Sequence, residues 1–405
     1  MFFQIPFRNL SRNRRRTLLG MAIIALGTMM SYVVIGYVDF SLANIRDVTV
    51  RQYGNFQIAS RRLWSDELDG FKYLLAAETV NQVNQILEDA PEVVAYTGQL
   101  QMSGLAYIGN KTKILRLIAV KPGNAALDYN DLVIAGQGTG LQPDDRGMAL
   151  IGKSFAEEIN LKPGDRFTVT ASTVSGQFNS LPLEVAGLFS LNNAQAESQV
   201  VFVPLRFGQD LLNTDKITKI IAKTANIKAT DPASNSVQHR LNLLDSDLQV
   251  RTWVQLSDFY RQIVNFFDIL FGFITAAVFV LVFFMILQVL TLSLLERTRE
   301  IGTLRAIGTK RGEIFRIFLM ESLILGLLGS LAGVLIGQMF GIGFNQLGLG
   351  WTPPGAVEDV PIKLSLTPVN AILPVVATTA ATLASALYPS VYSARIQIVE
   401  ALRTR

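Results

Sequence analysis

Cysteine is absent from these 405 residues, and histidine occurs once, as His239. Without cysteine no disulfide can staple a domain, so each folded region must stand on its own core. A lone histidine cannot build a typical zinc site, and His239 reads as a solvated helix residue. No metal and no cofactor is expected on the chain. The same scarcity removes the usual histidine base for a serine or cysteine nucleophile, which ranks a free-standing enzyme last. Charge is also sparse. Only 17% of the residues are charged, where a soluble domain carries roughly 25%.

Apolar residues fill that space, at 50% of the chain and a mean hydropathy of +0.34. Four runs qualify as membrane spans. Leu18–Val38 carries no charge and would measure about 31 Å as a helix. Ile269–Leu295 is also uncharged. The third run is roughly Ile317–Phe340, and the fourth lies within Leu364–Ala394, punctuated by Pro368, Pro374 and Pro389, which membrane helices tolerate. The first run exceeds the 7–15 residues of a signal-peptide core and lacks a clear small-x-small cleavage site, so it reads as a retained span.

The short loops set the expected orientation. Arg8, Arg12, Arg14, Arg15 and Arg16 precede the first span. Arg297, Arg299, Arg305, Lys310, Arg311 and Arg316 separate the second from the third. Arg395, Arg403 and Arg405 follow the fourth, whereas the 341–365 loop holds only Glu358, Asp359 and Lys363. The positive-inside rule places both termini and the basic elbow in the cytoplasm. This clustering at one membrane face accounts for the pI of 9.2 through topology and anionic lipid, without nucleic acid.

The expected fold is an integral membrane α-helical protein with four transmembrane helices, N-in and C-in. A large extracytoplasmic α+β domain separates the first two spans. The segments are a basic N-terminal stretch (1–17), span 1 (18–38), the outer domain (39–265), span 2 (266–295), the elbow (296–316), span 3 (317–340), an outer loop (341–367), span 4 (368–392) and a tail (393–405). Within the outer domain, 78–89 and 237–244 read as helices. Segments 113–120, 166–174, 183–189, 199–203 and 248–254 read as strands. The Gly/Asp-rich stretch 136–147 marks an expected boundary between two subdomains.

Gly147-Met-Ala-Leu-Ile-Gly152-Lys153-Ser154 matches the phosphate-loop pattern GxxxxGK[ST]. A true loop of this kind follows a strand and turns small, flexible residues toward phosphate. Here the intervening residues themselves read as a strand, preceded by the turn Gln142–Arg146. No apolar run ending in Asp follows. The expected structure is a strand, the helix 154–160, then the turn Lys162-Pro-Gly-Asp165.

Three features of the spans carry candidate function. The elbow places Ile301, Leu304 and Ile307 near one face within a charged rim, a pattern that suits docking into a partner groove or lying on the lipid surface. Gly329, Gly333, Gly337 and Gly341 repeat every fourth residue and would let another backbone approach, within one chain or across a dimer. Glu321 lies about 6–8 Å inside the third span. Intramembrane acids are costly and usually paired, so a salt bridge to an elbow arginine is expected rather than proton transport.

Arg299-Glu300-Ile301-Gly302 and Leu304-Arg305-Ala306-Ile307-Gly308 closely resemble the motif after the second span in permease subunits of MacB/FtsX/LolC-type ABC transporters. The resemblance extends to Asn9–Arg16, to Tyr53-Gly54-Asn55-Phe56-Gln57-Ile58 as a first outer strand of the LolC/LolE-like branch, and to Ile151-Gly152-Lys153 with Leu161–Asp165. It also covers Tyr388–Ala394 and Glu400-Ala401-Leu402-Arg403, so it spans essentially the whole chain. Ile398 stands where the family often has proline. MacB carries its ATPase on the same chain, and no credible ATPase is seen here.

The resemblance implies a non-catalytic permease in a bacterial inner membrane, multi-pass, with its large Porter/Sabre-like domain in the periplasm. It implies a separate cytoplasmic ABC ATPase that holds the ATP and magnesium, and a second permease chain, identical or sister. Arg299, Glu300, Ile301, Leu304, Arg305, Ile307 and Gly308 would couple to the ATPase, whose closure would move the outer domains through the long first and second helices. The leading expectation is ATP-driven action on lipidated or amphipathic substrates taken from the outer side, such as lipoprotein release. The alternatives are efflux with a periplasmic adaptor and outer-membrane channel, and FtsX-like activation of a cell-wall hydrolase.

Overall fold

The computed structural model describes residues 14–64, 70–126, 129–136, 140–191, 193–245, 247–352 and 359–395. Arg8, Arg12, Asn9–Asn13, Glu358, Ile398, the Glu400–Arg403 signature, Arg403 and Arg405 lie outside the described residues. The chain forms two compact units, an α+β unit of Ile45–Arg261 with Trp351–Val360 and a helical unit built from the remainder.

In the helical unit, four helices among the described residues are long and apolar enough to cross a membrane. They are α1 (Arg14–Tyr53), α8 (Asp258–Glu296), α10 (Arg311–Gln346) and α11 (Pro368–Arg395). The first three extend well beyond the apolar runs that mark them, because polar residues at their ends continue the same backbone hydrogen bonding. The outer loop is correspondingly shorter than 341–367. Pro368 opens α11, where its missing N–H costs nothing, while Pro374 and Pro389 lie inside the helix. All four helices meet around Ile24, Val282, Ile286, Leu325 and Ala381, which are buried together. The short helix α9 (Thr298–Ala306) lies between α8 and α10.

The α+β unit is organised by one sheet, in the order β10 (Leu248–Thr252), β1 (Phe56–Ser60), β9 (Lys219–Thr224), β2 (Val93–Ile108), β3 (Lys111–Val120), β8 (Val200–Pro204), β5 (Met148–Gly152), β7 (Phe178–Phe189) and β4 (Val133–Gly136). The remaining strand, β6 (Arg166–Ser172), pairs with both β2 and β7. The pairings β2–β3–β8–β5–β7–β6–β2 therefore close a circuit. This circuit surrounds an apolar core that includes Leu100, Leu117, Ile151, Val169, Val185 and Val201. A second core packs β1, β9 and β10 beneath α2 (Ala77–Glu88) and α6 (Thr230–Leu244), through Phe56, Ile58, Val83, Leu87, Ile220, Val237 and Leu241.

Three local expectations are corrected. The 136–147 stretch is not a subdomain boundary. Leu141, Leu150 and Phe189 share one further core, and the sheet runs unbroken from β4 to β10. The real division is non-contiguous, because the second core draws on residues from both ends of the region and the first core is inserted between them. Trp253 and Val254 leave β10 for the helical turn α7 (Trp253–Leu256), where Gln255 closes a capping box on Thr252. Tyr53 ends α1 rather than starting a strand. Gly54 follows it at φ +72° and donates to the Val50 carbonyl at 2.8 Å, a left-handed helix stop that favours glycine. Asn55 is then buried between Thr230 and Thr224, at 2.9 and 3.1 Å.

Candidate functional site

The elbow begins where α8 gives way to α9 at Arg297. This arginine is buried. Its Nη1 donates to both carboxylate oxygens of Glu321, at 3.1 and 3.2 Å, and the two side chains are only 11% and 12% exposed. The acid inside the third span is thus charge-paired with the first arginine of the elbow, which ties the end of α8 to α10. Arg16 of α1 pairs with the neighbouring Glu296. Glu313 accepts from the Lys310 backbone N–H at 3.1 Å and caps the start of α10.

The expected apolar ridge is divided. Ile301 is 4% exposed and packs inward with Leu294, Ile314 and Phe318. Ile307 is 84% exposed. These side chains point apart because six residues turn an α-helix by about 240° beyond one full turn. Arg299 and Glu300 are exposed in the first turn of α9, and Arg305 is half-buried. Gly308 follows Ile307 at φ +105°, which ends the helix sharply and suits glycine. The Leu304 side chain lies outside the described residues. The elbow thus anchors through Arg297 and Ile301 and presents Arg299, Glu300 and Ile307.

Within the same chain, Gly329, Gly333 and Gly337 of the repeat on α10 face α1, and Gly341 faces the segment before α11. A Cβ added at Gly333 would meet the Ala25 carbonyl oxygen at 2.5 Å and Thr28 Cβ at 2.8 Å. At Gly329 it would meet Ile24 Cβ at 2.9 Å, at Gly337 Tyr32 Cδ1 at 2.9 Å, and at Gly341 the Leu366 side chain. The two backbones approach as closely as small residues allow. Hydroxyls of α1 reach both α10 and the α11 side of the bundle. Thr28 and Thr378 share a 2.9 Å hydrogen bond, and Tyr32 donates to Gln338 at 3.0 Å and to the Thr367 carbonyl at 3.2 Å.

Sequence reasoning missed a second polar cluster at the opposite end of the spans. The segment Leu364–Thr367 is strapped across the helix ends. Asn345 holds both backbone groups of Leu364, at 3.0 and 2.8 Å. Ser365 donates its N–H to the Gly36 carbonyl at 2.9 Å, and Gly36 lacks the Cβ that would strike Leu366. Asp39 Oδ2 accepts from Ser365 Oγ at 2.8 Å and from Asn370 Nδ2 at 3.2 Å. The only available signal was an acid one residue past an uncharged span; its partners lie more than 300 residues away.

The phosphate-loop lookalike is explained structurally. Met148–Gly152 is β5, and Lys153–Ile159 is helix α3. The α3 N-terminus is occupied by Glu197, fully buried, whose carboxylate accepts from Ser154 Oγ, Ser190 Oγ and the Leu191 N–H, each at 2.8 Å. A side chain at Gly152 would collide with the Glu197 backbone. The glycine and serine of the pattern thus serve a carboxylate contact, and an acid stands where a phosphate would have to bind.

Comparison with known proteins accounts for both units. A family model described as MacB-like periplasmic core domain matches residues 17–240, more than half of the chain, and one described as FtsX-like permease C-terminal matches residues 272–398. The macrolide export ATP-binding/permease protein MacB of Hyphomonas neptunium is 30% identical over 231 residues, covering 55% of this chain and 33% of that protein. The lipoprotein-releasing system transmembrane protein LolE of Haemophilus influenzae is 23% identical over 336 residues, covering 78% of this chain and 79% of its own length. Among solved structures, the periplasmic region of MacB from Actinobacillus actinomycetemcomitans aligns with a TM-score of 0.37 and 17% identity, over 51% of this chain and 93% of that one. The match spans about a third of the length of the MacB relative. With a MacB-like core domain and an FtsX-like permease region in one polypeptide, this chain belongs to the MacB/LolE/FtsX-type family of ABC transporter permeases.

Proposed function

We propose that this chain is the membrane subunit through which a cytoplasmic ABC ATPase drives a periplasmic α+β domain, in a bacterial inner membrane with both termini inside. The division of the elbow carries this reading. Arg297 and Ile301 fix α9 to the helix bundle, while Arg299, Glu300 and Ile307 are left exposed. An apolar side chain within a charged rim suits an interface that must hold a partner and transmit its movement. Arg305 and Gly308 would complete that contact, and Leu304 is assigned to it by motif resemblance alone.

The ATP and magnesium would be held by the ATPase, on a separate polypeptide, and a second permease chain would complete the transporter. The substrates would be lipidated or amphipathic molecules taken from the outer side, as in lipoprotein release. The long alignment with LolE, over 79% of that protein, supports this branch. A second reading, efflux with a periplasmic adaptor and an outer-membrane channel, is favoured by the higher identity to a MacB protein named for macrolide export. FtsX-like hydrolase activation ranks third.

The test is purification of the tagged chain from native membranes in mild detergent, with mass spectrometry of its companions. An ATPase with acylated proteins is the expected outcome. An ATPase with a periplasmic adaptor would move the assignment to efflux, and one with a cell-wall hydrolase to signalling. Reproducible recovery without any ATPase would contradict the coupling role.

A further inference from the structure

The sheet of the α+β unit ends at β10, which pairs with β1 in unbroken register from Phe56↔Thr252 to Ser60↔Leu248. Trp253 donates its N–H to the Asn55 carbonyl at 3.0 Å, and Arg61 donates to the Asp247 carbonyl at 2.7 Å. These two bonds fix which backbone groups face β1. Alternation along an antiparallel strand then turns those of Leu248, Val250 and Thr252 outward. An outward row of this kind is a template for another strand. The opposite edge, β4, has only four residues, and its register with β7 shifts between Val133 and Ala135. Shortness and irregularity blunt that edge. β10 has no such break, and it contains neither proline nor lysine.

Side-chain amides occupy the outward groups instead. Gln238 of α6 accepts from the Val250 N–H at 2.7 Å through Oε1 and donates to the Leu248 carbonyl at 3.2 Å through Nε2. One side chain thereby makes the two bonds that a residue of a parallel strand would make. The amide is held in place, because Nε2 also donates to Asn242 Oδ1 at 2.8 Å and the neighbouring Val237 is buried in the second core. Gln255 Oε1 takes the Thr252 N–H at 3.0 Å, and the Asp245 carbonyl takes the Leu248 N–H at 3.3 Å. All three outward N–H groups are thus satisfied within the chain. We propose that Gln238 is an edge guard, whose amide fills the strand-pairing positions of β10 and keeps the α+β units of two copies of this chain from joining edge to edge. A second copy is the partner excluded, because every copy presents the same five-residue edge and a two-fold axis would pair the two edges antiparallel. The inference goes beyond the proposed function and needs no ATPase.

The test compares the full-length parent with Gln238→Leu in mild detergent, by sedimentation over a range of protein concentrations and by amide hydrogen exchange. Gln238→Leu keeps the bulk of the side chain and removes both of its bonds to β10. It should form concentration-dependent species larger than those of the parent. At low concentration its Val250 amide should exchange roughly tenfold faster than in the parent, the loss of one hydrogen bond. Adding Val250→Pro removes the outward N–H at a position where an edge strand tolerates proline, and should abolish the larger species. Gln238→Leu that is folded and no larger than the parent at any concentration would overturn the proposal. So would larger species that persist in Gln238→Leu/Val250→Pro, because another surface would then be responsible. The parent alone keeps the test open if the variants fail to fold. Its Val250 amide should exchange as slowly as that of Arg251, which faces β1, and exchange at the rate of an unbonded amide would overturn the proposal.

Discussion

Arg297 Nη1 lies 3.1 and 3.2 Å from the two oxygens of Glu321, so the last residue before α9 is bonded across the bundle to the middle of α10's first half. An ion pair this deeply buried is harmful when half of it is removed, because the remaining charge has lost its partner. Glu321→Ala should lower stability by about 3–5 kcal/mol, read as a lower thermal unfolding midpoint in detergent. The double variant Arg297→Met/Glu321→Leu should recover most of that loss. A double variant no better than the single one would contradict the pairing account.

Gly333 and Gly343 separate close packing from helix propensity. A Cβ at Gly333 meets Ala25 and Thr28, whereas nothing lies within 4 Å of one at Gly343. Gly333→Leu should therefore force α10 away from α1 and reduce the yield of folded protein, with overpacking costs of about 1–3 kcal/mol or more. Gly343→Ala should be neutral or stabilising, by up to about 1 kcal/mol. Size-exclusion profiles and thermal midpoints of the two variants check this. Equal behaviour would remove the packing role from the glycine repeat.

Glu197 holds the phosphate-loop lookalike together, so substitutions there and at Lys153 should differ in kind. Glu197→Ala removes the buried acceptor shared by the Ser154 and Ser190 hydroxyls and the Leu191 N–H, at a cost of at least about 2 kcal/mol. Lys153→Ala should change stability by no more than about 0.5 kcal/mol. Binding of a fluorescent ATP analogue to this chain should be undetectable before and after either change. ATP binding that disappears in Lys153→Ala would show the lookalike to be a working nucleotide site.

Lys219 on β9 is 9% exposed, beside Gln99 of β2. Burial, aided by the nearby charge of Arg116, lowers its ammonium to about 8. The unfolded chain then holds this proton across the window from about pH 8 to about 10.4, while the folded chain does not. Stability from this group therefore rises with pH through that window, and its penalty is fully present at pH 7. Lys219→Met should stabilise at pH 7 by roughly 2–3 kcal/mol, with the gain shrinking toward pH 10. A gain independent of pH, or no gain, would contradict the burial account.

The membrane helices were legible because lipid permits little besides an uncharged apolar run, and Leu18–Val38 and Ile269–Leu295 carry that mark without needing any partner. The sheet was far less legible. β2 alternates Gln99, Gln101 and Ser103 with Leu100 and Met102, and its neighbours β9, β3 and β6 come from three separate parts of the chain. Local pattern cannot specify such pairings, which is why the Gly/Asp-rich 136–147 stretch was mistaken for a boundary.

At the site, sequence identified Glu321 and the elbow as a pair of regions. It could not choose Arg297 among six basic residues, since the choice depends on how α8 meets α10. Nor could it turn Ile301 inward. That follows from Leu294, Ile314 and Phe318 closing around it, residues drawn from the helices on both sides.

Ile301 and Ile307 provide the most direct test of the coupling role, because one anchors the elbow and the other is presented by it. The measurement is co-purification of the ATPase with full-length variants, alongside the ATPase rate of the recovered complex. Ile307→Asp should leave the stability within about 0.5 kcal/mol of the parent and sharply reduce ATPase recovery, with Glu300→Lys acting in the same direction. Ile301→Ala should instead lower the stability by about 2–4 kcal/mol, read as a lower thermal midpoint. Full ATPase recovery and an unchanged rate in folded Ile307→Asp and Glu300→Lys would contradict the assignment of this elbow as the site where ATP hydrolysis reaches the membrane.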